Sequence, residues 1–210
     1  MQTNHCTVFA SPMHGFGCHM SDKNRTQLVK IFRREMQHAV RDGVLVFRIA
    51  LQLGSGIWLA EEMIRLRDIC FPQIKVHVYI SHETQANDWT EEWRESYFDI
   101  QAQADEVFIL GDKLSAGVFR RQNRLLLQDA GRLIIVHDAL LGGRADKLSH
   151  IAEKKGIEVQ MIHLLEGPPT PLHLAQVPML QTAYQESKSQ VKSMYSDRLS
   201  SGKSASNSAW

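Results

Sequence analysis

Apolar residues gather along the chain in six short runs rich in β-branched and aromatic side chains: Thr7 to Ala10, Val44 to Ala50, Lys75 to Ser81, Glu106 to Leu110, Arg132 to Asp138 and Glu158 to Leu164. Runs such as VLVFRIA and RLIIVHD are almost continuously apolar, the pattern of strands covered on both faces and hence of a parallel sheet. Between them, Asp22 to Arg41, Ile57 to Ile69, Thr90 to Ala104, Val118 to Asp129 and Arg144 to Lys155 repeat their apolar residues at helical spacing. In the first, Leu28, Ile31, Phe32, Met36, Ala39 and Val40 form one stripe, with Arg33, Arg34 and Arg41 placed toward water. Ser21 or Asp22 can cap its start, and Gly43 follows its end. This alternation predicts an α/β fold: a Rossmann-like, doubly wound, mostly parallel sheet of about six strands with helices on both faces and right-handed crossovers. Strand order is not written in the pattern.

The texture changes after Leu165, beginning with Glu166, Gly167, Pro168, Pro169, Thr170 and Pro171. The expected organisation is one domain over 1–165, then a Pro/Ser-rich linker, room for a helix within Leu172 to Tyr195, and a serine-rich tail too poor in apolar residues to offset its chain entropy.

Composition adds exclusions. The 210 residues are 43% hydrophobic and 22% charged, with a formal net charge of +1, values of an ordinary globular chain. So balanced a charge gives nucleic acid or an anionic membrane little long-range attraction, and nucleic acid is not the favoured partner. The segment MQTNHCTVFA lacks a basic region followed by an apolar one, and no apolar run approaches the roughly 18 residues of a membrane span. A cytoplasmic location without a membrane partner is expected. Cys6, Cys18 and Cys70 are odd in number and lack C-x-x-C spacing, which suits reduced thiols in or near the core. Cys6, Cys18 and His19 fall short of a four-ligand zinc set, so no metal is assigned.

In open α/β sheets ligands sit beyond the carboxyl ends of the strands, which makes the strand-to-helix loops the places to search. The second loop reads Leu51, Gln52, Leu53, Gly54, Ser55, Gly56, Ile57, Trp58 and leads into a helix. Glycines there let backbone N–H groups approach an anion, and the helix start adds unpaired donors and a positive dipole end. The first loop, Ser11 to Gly17, is also glycine-rich, and Ser11, His14 and Gly15 are candidates for the opposite wall. Trp89, beside Asp88, can stack on a base, whereas Trp93 and Tyr97 fall four apart on one helical face and suit anchoring. Further on, Gln122 and Asn123 offer amides to polar ligand atoms near a helix start, flanked by Arg120, Arg121 and Arg124. Asp138, closing the fifth strand, can hold a ribose hydroxyl or cap the next turn. No G-x-S-x-G elbow, Walker sequence or H-E-x-x-H helix occurs.

These features in this order resemble the YpsA-like branch of the SLOG superfamily, Rossmann-like proteins related to the DprA and LOG families. The resemblance runs from about Thr7 to Glu166. Its most telling stretch is DWTEEWRESYFDIQAQAD from Asp88 to Asp105, continued by Phe119, Gln122, Asn123, Gly131 and Asp138. In this branch the second loop reads glycine, any residue, glutamate, any residue, tryptophan. Here Gly54 and Trp58 match, while Gly56 stands at the glutamate position and Ser11, Pro12 and Met13 replace the glycine and basic residue usual after the first strand. The resemblance implies a pocket for a nucleotide or nucleotide-derived small molecule, such as an ADP-ribose-like ligand, with no catalysis implied. Two alternatives accompany it. One is a nucleotide-processing hydrolase of the LOG type using Asp138, Glu61 or Glu62, although the LOG motif P-G-G-x-G-T-x-x-E is missing. The other is a DprA-related DNA or protein interaction module working through Arg120 to Arg124. A homo-oligomer is compatible with all three.

Overall fold

The computed structural model describes residues 4–10, 22–115, 117–137 and 143–163. The linker, helix and tail expected after Leu165 lie outside these residues, as do Ser11, His14, Gly15 and Asp138. Six strands alternate with five α-helices: β1 (His5–Ala10), α1 (Asp22–Arg41), β2 (Val46–Ala50), α2 (Ser55–Ile69), β3 (Lys75–Ile80), α3 (Glu91–Gln103), β4 (Glu106–Ile109), α4 (Val118–Leu126), β5 (Arg132–His137), α5 (Arg144–Lys154) and β6 (Glu158–His163). A short 3-10 turn, Glu83–Ala86, follows β3. Strand and helix positions match those read from apolar spacing to within three residues, and the Rossmann-like α/β arrangement stands.

All pairings are parallel, in the order β4-β3-β2-β1-β5-β6. The chain builds outward from β1 to β4, then returns to the other side of β1 for β5 and β6. With one hand of crossover, that reversal moves the later helices to the opposite face. Accordingly Phe32, Met36, Met63 and Tyr97 from α1 to α3 pack with Phe47, Ile49, Val78, Ile80 and Ile134. Leu126, Leu148 and Ala152 from α4 and α5 pack with Phe9, Leu133 and Ile135. The reversal falls between β1 and β5, and in open sheets of this kind the carboxyl ends of the strands beside such a reversal are where ligands are received.

Two boundaries moved for physical reasons. Helix α2 starts at Ser55, two residues before the expected Ile57, because Gly54 alone makes the turn with φ 85° and ψ −120°. Helix α4 stops at Leu126 because Asp129 takes a left-handed conformation, φ 54°. Cys6 is buried, and burial pushes its thiol up to about 12. Cys70 is exposed at the end of α2, a correction to the near-core expectation: the helix ends there with its side chain facing out. Among the described residues no helix is long and apolar enough to cross a membrane.

Carboxylates fasten the helices. Glu62 of α2, only 5% exposed, accepts from Arg33 of α1 at 2.6 Å and from Arg65 at 2.7 and 2.8 Å. Burial pushes its carboxyl up, but the hydrogen bonds from Arg65 and Arg33 outweigh that and hold it below the usual range. Asp105, the aspartate closing the stretch that carries the family resemblance, accepts from the Val76 amide at 2.8 Å and from Arg67 at 2.9 Å, joining β3, α2 and the start of β4. Because the native state holds Glu62 ionised more strongly than the unfolded chain does, its contribution is present above the ordinary glutamate range and is lost as pH falls through the lowered folded value. Glu62→Gln should therefore cost about 1 to 3 kcal/mol at neutral pH and flatten the acid limb of a urea-denaturation pH profile. An unchanged midpoint and acid limb would contradict this role.

Candidate functional site

Backbone carbonyls at the carboxyl ends of strands need donors. Three glutamines from three different segments supply them. Gln52, after β2, donates to Ala10 O at 3.1 Å. Gln85, from the turn after β3, donates to Leu51 O at 2.6 Å. Gln122, fully buried in α4, adds a donor at 2.9 Å to Tyr79 O, which also accepts from the Leu51 amide at 3.1 Å. An amide has two ends, and the oxygens are also engaged. Gln85 accepts from the Ser81 amide and hydroxyl at 3.1 and 2.5 Å.

The oxygens of Gln52 and Gln122 turn instead to Arg144, the first residue of α5. Its Nη1 donates to Gln52 at 2.9 Å, in the amide orientation that also serves Ala10. Nη2 donates to Gln122 at 2.6 Å and to Asn123 Oδ1 at 2.6 Å, and Nε donates to Asn123 at 3.0 Å. The guanidinium lies 5.0 Å from the Phe9 ring and 4.6 Å from the Phe119 ring. Burial pushes it down to about 10, still charged at neutral pH.

The backbone repeats a device at this edge. Gly54 before α2 and Gly143 before α5 adopt nearly the same conformation, φ 85° ψ −120° and φ 92° ψ −117°, which side chains other than glycine seldom take. Gly56 is different: it is helical, and a Cβ there would make ordinary contacts at 3.4 Å with Ala50 O and the Gln52 side chain. Ser55 is fully buried beside it.

Thus Gln122 and Asn123 meet at Arg144, with the Gly54 to Gly56 turn following two residues after Gln52. The tryptophans make ring contacts. Trp58 packs on Trp93 with ring centroids 5.8 Å apart and carries Arg25 over its face, while Trp89 meets Tyr97 edge-on at 5.1 Å. Glu61 pairs with Arg25 at 3.2 Å and Glu62 is clamped as described, so both carboxylates face α1. Arg121 donates to Leu110 O at 3.0 Å, and Arg120 is exposed. Among the described residues no cluster of histidine, cysteine, aspartate or glutamate is arranged for a metal ion.

Sequence reasoning missed Arg144, Gln52, Gln85 and Gly143. An arginine opening a helix reads as a solvated residue, and isolated glutamines carry no spacing signal. The position of Gly143 between an apolar strand and a helical stripe, like that of Gly54, was the available clue.

The architecture is that of a Rossmann-like α/β protein with an amide-lined strand edge at its reversal point. The YpsA family model, described as the YspA SLOG family, matches residues 13–166, and the chain belongs to this family, as its Asp88 to Asp105 stretch implied. It is similar to a UPF0398 protein of Bacillus cereus (strain G9842), 27% identical over 158 residues that cover 74% of this chain and 80% of the relative. It is also similar to a UPF0398 protein of Bacillus thuringiensis (strain Al Hakam), 29% identical over 136 residues that cover 64% and 73%.

The two glycines of the turn should respond oppositely to alanine. Gly54→Ala forces a side chain into a conformation costing about 1 to 3 kcal/mol, whereas Gly56→Ala, inside a helix, should change stability by less than about 1 kcal/mol. Urea denaturation of both variants checks this, and equal losses would refute the assignment of the turn to Gly54.

Proposed function

We propose that this chain binds a nucleotide or nucleotide-derived small molecule, of which ADP-ribose is a representative, at the carboxyl edge of the sheet, as a binding or sensing module. The observation that carries this reading is the pair of matching glycine turns at Gly54 and Gly143. Each opens a helix start, with its positive dipole end, at the carboxyl edge of the sheet. Membership of the SLOG family supports it. The amide groups around Gln52, Gln122 and Asn123 suit the mixed donor and acceptor edges of a ribose or base. Catalysis is not part of the proposal: Glu62 is held ionised by Arg33 and Arg65, whereas a general acid needs its carboxyl raised.

Isothermal titration with AMP, ADP-ribose and adenosine tests this. The phosphate-bearing ligands should bind, and adenosine should bind at least about tenfold more weakly for want of a charged group at the helix starts. Absence of heat with all three, together with a ligand-free mass for the protein purified from its own cells by native mass spectrometry, would overturn the reading.

A further inference from the structure

We propose that Arg144 is the ligand-facing cation of this edge, and that its guanidinium receives a phosphate or phosphate-ester oxygen of the bound small molecule. The inference deepens the nucleotide-binding reading and rests on it.

The geometry around Arg144 is that of a charge held ready rather than a charge neutralised. Arg132 is met by Asp42 and Glu158 and Arg67 by Asp68 and Asp105, whereas Arg48 is met by the Gln128 carbonyl and His5 Nδ1. Arg144 is met by three neutral amides, from Gln52, Gln122 and Asn123. Among the described residues no carboxylate pairs with it. The acid in the first turn of its own helix, Asp146, lies 2.7 Å from His137 Nε2.

Position sharpens the point. A cation in the first turn of a helix sits at the positive end of the dipole, the wrong end by local preference. At Arg144 the side-chain charge and the α5 N-terminus therefore reinforce one another. Such a breach of local rules, fixed by interactions from β1, the segment after β2 and α4 at once, is characteristic of functional sites.

The amides also explain how the guanidinium is aimed. A guanidinium has five N–H donors, and the Nε, both Nη2 and one Nη1 donors are used on amide oxygens. The second Nη1 donor has no acceptor among the described residues. The rings of Phe9 and Phe119 confine the guanidinium, so an incoming anion meets a preset donor instead of a mobile side chain. A phosphate oxygen matches that donor in charge and geometry. Neutral amides leave the positive field intact, where a carboxylate partner would have cancelled it.

The test uses the full chain and the side-chain Nε–H signal of Arg144 in a 1H–15N spectrum, assigned through the backbone, with inorganic phosphate, adenosine and ADP-ribose as probes. Phosphate and ADP-ribose should shift that signal, and adenosine should leave it in place. Arg144→Lys, which keeps the charge but loses the fork, should weaken ADP-ribose binding at least about tenfold. The proposal is overturned if ADP-ribose binds wild-type protein without moving the Arg144 signal, or binds a folded Arg144→Lys variant as tightly as wild type; the nucleotide reading then survives alone. If neither phosphate nor ADP-ribose binds wild-type protein, both fall. Should Arg144→Lys fail to fold, the wild-type spectrum decides.

Discussion

The carbonyls near the carboxyl ends of β1, β2 and β3 are the constraint on which this edge of the sheet depends. Where the strand ladder runs out, a backbone oxygen left buried without a donor is costly. Gln52 and Gln85 answer Ala10 and Leu51 with their amide nitrogens, and Gln122 adds a second donor to Tyr79 O, which also accepts from the Leu51 amide. Because an amide has a fixed shape, serving a carbonyl at one end determines where its oxygen points at the other. Two of those oxygens converge on Arg144, so the need to close the sheet edge and the placing of a cation there are one arrangement.

The rest of the charge pattern is complementary to this. On the flanks of the sheet, opposite charges are matched and spent on packing: Glu62 binds α1 to α2, Asp105 joins β3 to α2, and Arg132 gathers Asp42 and Glu158 near the starts of β5 and β6. Several of these pairs are partly exposed, and each contributes modestly. At the carboxyl edge the same residue types are arranged differently, with arginine set against dipoles. A chain with a formal net charge of +1 thus sets one arginine among neutral amides at this edge.

Much of the fold was legible because near-continuous apolar runs and helical stripes have separate periods, and they located β1 to β6 and α1 to α5 within a few residues. Strand order was not legible, since runs such as VFRIA and RLIIVH are apolar on both faces and carry no mark of their neighbours. In the site, the Gly54 turn and the Gln122–Asn123 pair were readable from their position between strand and helix. The partner that joins them was not, because Arg144 acquires its meaning only when α4 and α5 pack on the same face. Trp58, a ligand-contact candidate from its motif position beside the glycines, packs tilted against Trp93 with Arg25 over its ring, contacts that no spacing in the sequence announces. Ser11, His14, Gly15 and Asp138 lie outside the described residues.

Hydrogen–deuterium exchange with and without ADP-ribose tests the account most directly, because it reads backbone donors across the whole chain. Binding at the reversal point should slow exchange at the amides opening α2, Ser55 and Gly56, and at those opening α5 beside Arg144, while the ends of the helices remote from this edge are unchanged. Protection confined to other segments, with both helix starts exchanging as in the free protein, would contradict the assignment of this edge as the ligand site.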